Sequence, residues 1–483
     1  MLLTLVFVYL LGTIAVGLWA ARRVKTTADF AVAGKNLPLI MIVTTTFATW
    51  FGSETVMGIP AKFVQGGLNG VVEDPFGAGF CLILVGVFFA AKLYKMDLLT
   101  ISDYYRERYG RVVEVACSLI ILLSYLGWVS AQVTALGLVF HLLSGGAIGV
   151  QLGMVIGVVS ILAYTLFGGM WSVAVTDFMQ MIILVAGLAI LAVFAGQMAG
   201  GADKVIDFAV SRELFKFWPE PSLHDMLFFF AAAITMMLGS IPQQDVFQRV
   251  MSANSVSAAT KGPVIGGSMY ILFAFVPMFL VASALIIMPE QAQALLADDP
   301  QKILPTLVME KMPFAMQVLF FGALLSAIKS TASATLLAPS VTFTENIWRQ
   351  FVPRTSDKQE LLTMRITVLV FSACVLAYSI AMEGTSIYEL VSGAYQVPLV
   401  GAFVPLVFGL YWKRATTQGA ILAVVAGIGT WLVVLYTPWA EVFPAQLAGV
   451  LASMAGMLLG SLAPQWIANS HAGHHPLVRS PVA

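Results

Sequence analysis

The chain has 483 residues, 59% of them hydrophobic and only 10% charged, and its 25 basic and 25 acidic side chains cancel to zero formal net charge. So large an apolar share excludes a soluble globular protein and points to a chain that crosses a membrane many times. The balanced charge offers no basic face for nucleic acid.

Hydropathy and breaker residues place thirteen spans at about 2–20, 37–63, 70–94, 112–142, 148–167, 171–198, 225–247, 263–287, 313–340, 361–382, 387–412, 416–436 and 442–463. The first has no basic stretch before its apolar run, and Arg22, Arg23 and Lys25 follow it. It reads as a retained leading helix rather than a cleaved signal. The second is interrupted by Thr44, Thr45, Thr46 and Thr49, then by Gly52-Ser53 and Glu54. An acid facing lipid at mid-depth costs about 2.5–3.5 kcal/mol. A glycine break beside it frees backbone carbonyls to coordinate a cation, so this stretch reads as a ligand site rather than a packing face.

Further along, Gly168-Gly169 predicts a tight turn between the fifth and sixth spans, with Asp177 about two helical turns beyond it. Asp177 either closes a hydrogen-bond network with Thr176 and Gln180 or helps to bind and release a cation. Loops 199–224 and 288–312 are long enough for short interfacial helices. The seventh span carries Gly239-Ser240-Ile241-Pro242-Gln243-Gln244-Asp245 in mid-course, where Pro242 removes a backbone donor. Spans two to six and seven to eleven thus form two groups of five, each opening on an interrupted helix, the pattern of an inverted-repeat transporter with its site at the midplane.

The ninth span holds Ser326, Lys329, Ser330, Thr331, Ser333 and Thr335. Adjacent hydroxyls at 330 and 331 suit a hard monovalent cation; the alternative is hydroxyl-mediated helix packing. Lys329 must snorkel, line water or pair with an acid such as Asp177. Three single cysteines, Cys81, Cys117 and Cys374, lie in apolar runs and read as packed thiols. His141 and His224 are isolated, and no nucleophile-base arrangement suggests an enzyme. His471, His474 and His475 belong to a stretch, 471–483, that reads as a short disordered cytoplasmic tail rather than a metal site. With the N-terminus outside, the inner loops collect eighteen lysines and arginines, Arg249 among them, against six outside, with Lys329 left within a span. That asymmetry sets the N-terminus outside and the C-terminus in the cytoplasm.

These residues resemble the sodium/solute symporter family, with the choline-transporter branch nearest. The match rests on the Gly-Gly…Thr-Asp-x-x-Gln pattern within 164–180, the Gly-x-x-Pro…Gln-Arg-x-x-Ser stretch within 239–253, and Ala48-Thr49-Trp50 and Ile347-Trp348. The resemblance implies an all-α polytopic fold of about thirteen helices, like that of amino-acid/sodium symporters, built from inverted five-helix repeats with broken first helices. It implies a single transporter domain over 1–470, with repeat one at 37–198, repeat two at 225–412 and peripheral helices at 416–463.

The resemblance also implies sodium-driven uptake by alternating access, with sodium as the coupling ion and no other metal or cofactor. The sodium ligands would be the carbonyls of Ala48, Phe51 and Ala327 and the hydroxyls of Ser330 and Thr331. Asp177 and Ser333 match part of a second ion site or release path; the further serine of that site is Ala334. Lys329 stands where an apolar residue is usual, which raises a sodium-independent or proton-coupled alternative with its ammonium as a possible ion substitute. Trp50 and Trp128 match two tryptophans of the choline cage, which holds its ligand by cation–π attraction. Gln243 and Gln396 replace a tryptophan and an acid, and Ala78 a tyrosine.

Candidate solute contacts are therefore Trp50, Glu54, Thr55, Asp74, Trp128, Gln243, Gln244 and Gln396, which favour an amino-containing or zwitterionic metabolite, with a choline- or betaine-like solute or a carboxylate as the other options. The expected partners are this solute, sodium and membrane lipid, with no obligate protein partner. The alternative of a membrane sensor would expect an output module after the last span, where the sequence continues only to Ala483.

Overall fold

A helix rises about 1.5 Å per residue, so the 49 residues of Val150–Met198 exceed twice the bilayer core of about 30 Å. They therefore make two spans. The division falls at Gly169, where the backbone turns to φ 46 and ψ −140. A Cβ there would lie 2.4 Å from the Phe30 carbonyl oxygen, so only glycine makes this turn.

The computed structural model describes residues 1–352 and 356–467. Among them the regular structure is helical throughout, apart from a bridge between Leu37 and Ala253. Ten helices are long and apolar enough to cross a membrane. The pair Leu223–Gly239 and Gln244–Ser252, bent by 45°, makes an eleventh span. The Gly169 break supplies another, and Leu39–Trp50 with its continuation Ile59–Gly66 completes the thirteen expected.

Both interrupted helices break where the sequence places the breakers. Leu39–Trp50 ends as Phe51 leaves helical geometry (φ −89, ψ 71), and a wide turn over Glu54–Gly58 restarts the helix. Leu223–Gly239 ends before Pro242, and Gln244–Ser252 follows. The start of one broken helix and the end of the other are tied together: Leu37 N donates to the Ser252 carbonyl at 3.0 Å and Asn254 N to the Leu37 carbonyl at 2.9 Å.

Helix Phe314–Thr342 forms the centre. Every residue from Ala323 to Thr342 is buried, although many are hydroxyl-bearing, because the helix is enclosed by Val150–Met198, Arg111–Leu143, Leu39–Trp50 and the leading helix Leu2–Ala21. Thr417–Leu435 and Ala445–Leu462 pack chiefly on each other at the edge. The two long loops carry short helices at Ala202–Ser211, Pro289–Asp298 and Ile303–Lys311.

Two sequence expectations need correction. Cys81 and Cys117 are buried, but Cys374 is exposed on its helix rather than packed. Arg249, counted among loop cations, is 1% exposed and one of the largest fully buried side chains. The histidines of the tail, with Arg354 and Arg479, lie outside the described residues.

Candidate functional site

The break in the first helix exposes backbone. Among the described residues no backbone N–H donates to the carbonyl of Ala48 or of Phe51, although a helix continuing past Trp50 would have satisfied both. Beside Gly52 of this break stands Thr331 on the central helix, buried, its hydroxyl without a hydrogen-bond partner among the described residues. An orphaned buried hydroxyl at a break with free carbonyls is a costly arrangement unless a ligand completes it. Ala327, one turn before Thr331, is also buried, and its carbonyl keeps a second lone pair.

Ser330 turns to Asp177: its hydroxyl donates to Oδ1 at 2.6 Å, while Thr45 Oγ1 donates to Oδ2 at 2.5 Å. Ser333 donates to the Ser330 carbonyl at 3.0 Å. Asp177, Ser330 and Ser333 therefore stand together, with Thr45 as an added donor. The network of Asp177 with Thr176 and Gln180 does not form among the described residues: Thr176 bonds its own helix backbone, and Asp177 takes its side-chain donors from Ser330 and Thr45.

On the other side of the same break lies an aromatic box. The rings of Trp50 and Trp128 are 5.4 Å apart, those of Trp128 and Tyr395 5.4 Å, and those of Trp50 and Tyr395 5.9 Å. Glu54 is held against the box by Trp128 Nε1, which donates to Oε1 at 3.2 Å, and by Gln132 Nε2, which donates to Oε2 at 2.6 Å. Gln132 Oε1 in turn accepts from Ser53 N at 2.9 Å, so one side chain orients the acid and caps the broken backbone. Among the described residues Trp50 Nε1 and Tyr395 OH have no hydrogen-bond partner.

Asp74 and Thr55 join through Tyr270: its hydroxyl donates to Asp74 Oδ1 at 2.5 Å and lies 3.0 Å from Thr55 Oγ1. Asp74 Oδ2 is unpartnered and buried.

Not every predicted contact gathers here. Gln243 Nε2 donates to Ser124 Oγ at 2.8 Å, next to Tyr125, whose ring stacks on Trp128 at 6.2 Å. Gln244 turns away: its Oε1 accepts from Ile101 N at 2.8 Å. Gln396 is half-buried, with its Oε1 accepting from Trp431 Nε1 of the peripheral helix at 3.0 Å.

Lys329 also points elsewhere. Its Nζ donates to Thr13 Oγ1 of the leading helix at 2.6 Å and sits 5.3 Å from the Tyr164 ring centre, rather than against Asp177. The reason is helical phase: Lys329 and Ser330 are about 100° apart around the axis, so if Ser330 faces Asp177, Lys329 faces the leading helix. Tyr9 and Ser326 repeat that contact one turn away, at 2.6 Å.

Sequence reasoning missed Gln132, Tyr125, Tyr270, Tyr395, Asp245 and Arg249. Gln132 had a signal, a polar residue one turn from Trp128 in an apolar helix. The tyrosines had none, since a buried tyrosine is ordinary core.

A cavity of about 540 Å³ lies at the end of the first broken helix, between Ala61, Thr134, His141, Gln301 and Tyr388. Lys62 Nζ and Glu389 Oε1 meet at 3.3 Å beside it. Elsewhere Asn346 Nδ2 donates to Asp103 Oδ1 at 2.9 Å and Glu114 Oε1 at 2.8 Å, and Asn346 Oδ1 accepts from Thr100 Oγ1 at 2.7 Å. This satisfied network packs the short helix Ile101–Tyr109 against the central bundle near Gln244.

The family model of the sodium:solute symporter family matches residues 30–427. The chain is 28% identical to the high affinity choline transporter 1 of Homo sapiens, over 88% of this chain and 75% of that one. It is 27% identical to the sodium/sialic acid symporter of Aliivibrio fischeri, over 96% and 93%. Its fold is similar to that of a sodium-coupled sialic acid symporter solved substrate-bound and outward-open, with a TM-score of 0.83 at 19% identity over 95% of this chain and 97% of that one.

Proposed function

Because the chain belongs to the sodium:solute symporter family, we propose that it is a symporter that uses sodium to carry a small amino-containing solute, cationic or zwitterionic, across the plasma (inner) membrane by alternating access. It is a membrane transporter and not an enzyme, as are its relatives.

One observation carries the choice of solute: a buried carboxylate, Glu54, set against three mutually packed aromatic rings. An ammonium gains from both, by cation–π attraction to the ring faces and by charge pairing with the acid. Asp74 Oδ2, buried and without a partner among the described residues, supplies a further acceptor for an N–H donor. Gln243, Gln244 and Gln396 do not form one polar group for a carboxylate, since Gln244 and Gln396 bond elsewhere.

For the ion, the free carbonyls of Ala48 and Phe51 and the orphaned Thr331 hydroxyl support a sodium position completed by Ala327 and Ser330. Asp177 with Ser333 would serve the release path. The alternative in which Lys329 replaces the ion receives no support from an ammonium bonded to Thr13. The matched broken helices support repeats at 37–198 and 225–412, and the distribution of lysine and arginine supports an external N-terminus.

The test is uptake of radiolabelled choline, betaine, amino acids and neutral sugars into proteoliposomes, with an inward sodium gradient or with potassium in its place. Accumulation of choline, betaine or an amino acid under sodium, lowered about tenfold or more in E54Q, is the expected result. Uptake indifferent to sodium overturns the ion assignment, and uptake of neutral sugars alone overturns the solute assignment.

A further inference from the structure

Arg249 belongs to neither half of the site, yet it lies between them. Its guanidinium is fully enclosed in the protein. Nη1 donates to the Asp245 carbonyl at 2.9 Å and Nη2 to Thr49 Oγ1 at 2.7 Å, so one side chain bonds both broken helices. Thr49 directly follows Ala48, whose carbonyl is a candidate sodium ligand. Thr49 stands one helical turn from Thr45, whose hydroxyl donates to Asp177 Oδ2 at 2.5 Å, so the guanidinium and the Asp177 carboxylate approach the same face of the first broken helix.

From Asp245 the chain of contacts continues to the solute side. Tyr125 OH donates to Asp245 Oδ1 at 2.6 Å and accepts from Asp245 N at 2.9 Å. The Tyr125 ring stacks on Trp128 at 6.2 Å, and Trp128 holds Glu54. Among the described residues Asp245 Oδ2 and Arg249 Nε have no hydrogen-bond partner.

A buried charge without a direct ion pair is expensive. Here one cation is bonded to the Asp245 backbone and to Thr49, near the acids Asp245 and Asp177 but paired with neither among the described residues. Such a cation is biased toward one of them whenever a second positive charge arrives beside the other. We propose that Arg249 is the positioning residue that couples the ion site to the solute box: sodium entering near Asp177 repels the guanidinium toward Asp245, and the Asp245–Tyr125–Trp128 contacts pass the shift to the aromatic box. The proposal rests on the sodium-coupled reading above and adds the physical link between its two ligands.

Sodium alone is a sufficient probe. Purified protein in detergent is titrated with sodium chloride against potassium chloride at equal ionic strength, with thermal midpoint and tryptophan emission both followed. Wild type is expected to show a saturable thermal shift and a parallel change in emission from the box. In R249Q the emission change falls about fivefold or more, the lower end of measured site-to-site coupling. The sodium concentration for half the thermal shift stays within about threefold, because Arg249 supplies no ion ligand. R249K restores part of the emission change. Y125F keeps its ring stack but loses the bond to Asp245, and it behaves as R249Q does; it decides the matter if R249Q does not fold. An emission response retained in full by R249Q or Y125F overturns the coupling role alone. A wild type whose thermal midpoint ignores sodium overturns the sodium-coupled reading and this role with it.

Discussion

The hydroxyl of Thr331 and the carboxylate of Glu54 face one another across Gly52. A Cβ at that glycine would lie 2.7 Å from Thr331 Oγ1 and 2.5 Å from Glu54 Oε2, with Gln132 Oε1 at 2.9 Å. The ion side and the solute side are therefore separated by the width of one missing side chain. A single local movement of the break touches both.

G52A tests that separation. A methyl group at a spot with three polar atoms inside van der Waals contact forces the break to shift, at about 1–3 kcal/mol. We expect G52A to fold with a lowered thermal midpoint and to lose both the sodium-induced thermal shift and solute uptake. Retention of either at the wild-type level contradicts the shared geometry.

Thr331 and Ser330 predict opposite balances of stability and function. T331A removes a hydroxyl that has no partner, so its midpoint without sodium stays at or above wild type while the sodium-induced shift disappears. S330A takes a donor from buried Asp177 and costs about 1–3 kcal/mol of stability. Thermal melts of both variants, with and without sodium, separate the two effects.

E54Q keeps the shape of the side chain but removes its charge, and its amide cannot accept from both Trp128 and Gln132. Uptake of an ammonium solute is expected to fall about tenfold to a hundredfold, the loss of one hydrogen bond to a charged group. The response to sodium alone, read by thermal shift, is expected to persist. Unchanged uptake kinetics in E54Q would remove the acid from the solute site.

K329M places an apolar side chain of similar length where an ammonium now has one hydroxyl and an aromatic face as neighbours. Replacing a poorly paired buried charge by an apolar group is often neutral or stabilising by about 1–4 kcal/mol. The expected outcome is an equal or higher thermal midpoint with unchanged sodium dependence of uptake. A sodium requirement that appears only in K329M identifies the ammonium as the ion's replacement.

Much of the fold was legible because breakers act locally. Gly52-Ser53, Pro242 and Gly168-Gly169 each interrupt a helix within a few residues of where they stand. The hydroxyls at 330 and 331 and the acid at 54 stood out because hydrocarbon penalises them wherever they point. Such residues announce a buried polar function without revealing their partners. Gln244, Gln396 and Lys329 show the limit. All three are polar residues in spans, and all three bond outside the box.

Composition, hydropathy and the breakers by themselves determined a many-helix membrane protein with two interrupted helices and a polar centre, since the cost of exposing polar groups to lipid is paid residue by residue. Only tertiary structure decided which polar groups meet. Helical phase sends Ser330 to Asp177 and its neighbour Lys329 to Thr13. The packing of four helices, distant in sequence, brings Trp50, Trp128, Tyr395 and Tyr125 into one box and buries Arg249 between the two breaks. Those contacts depend on the rotation and approach of whole helices, which no single stretch of sequence specifies.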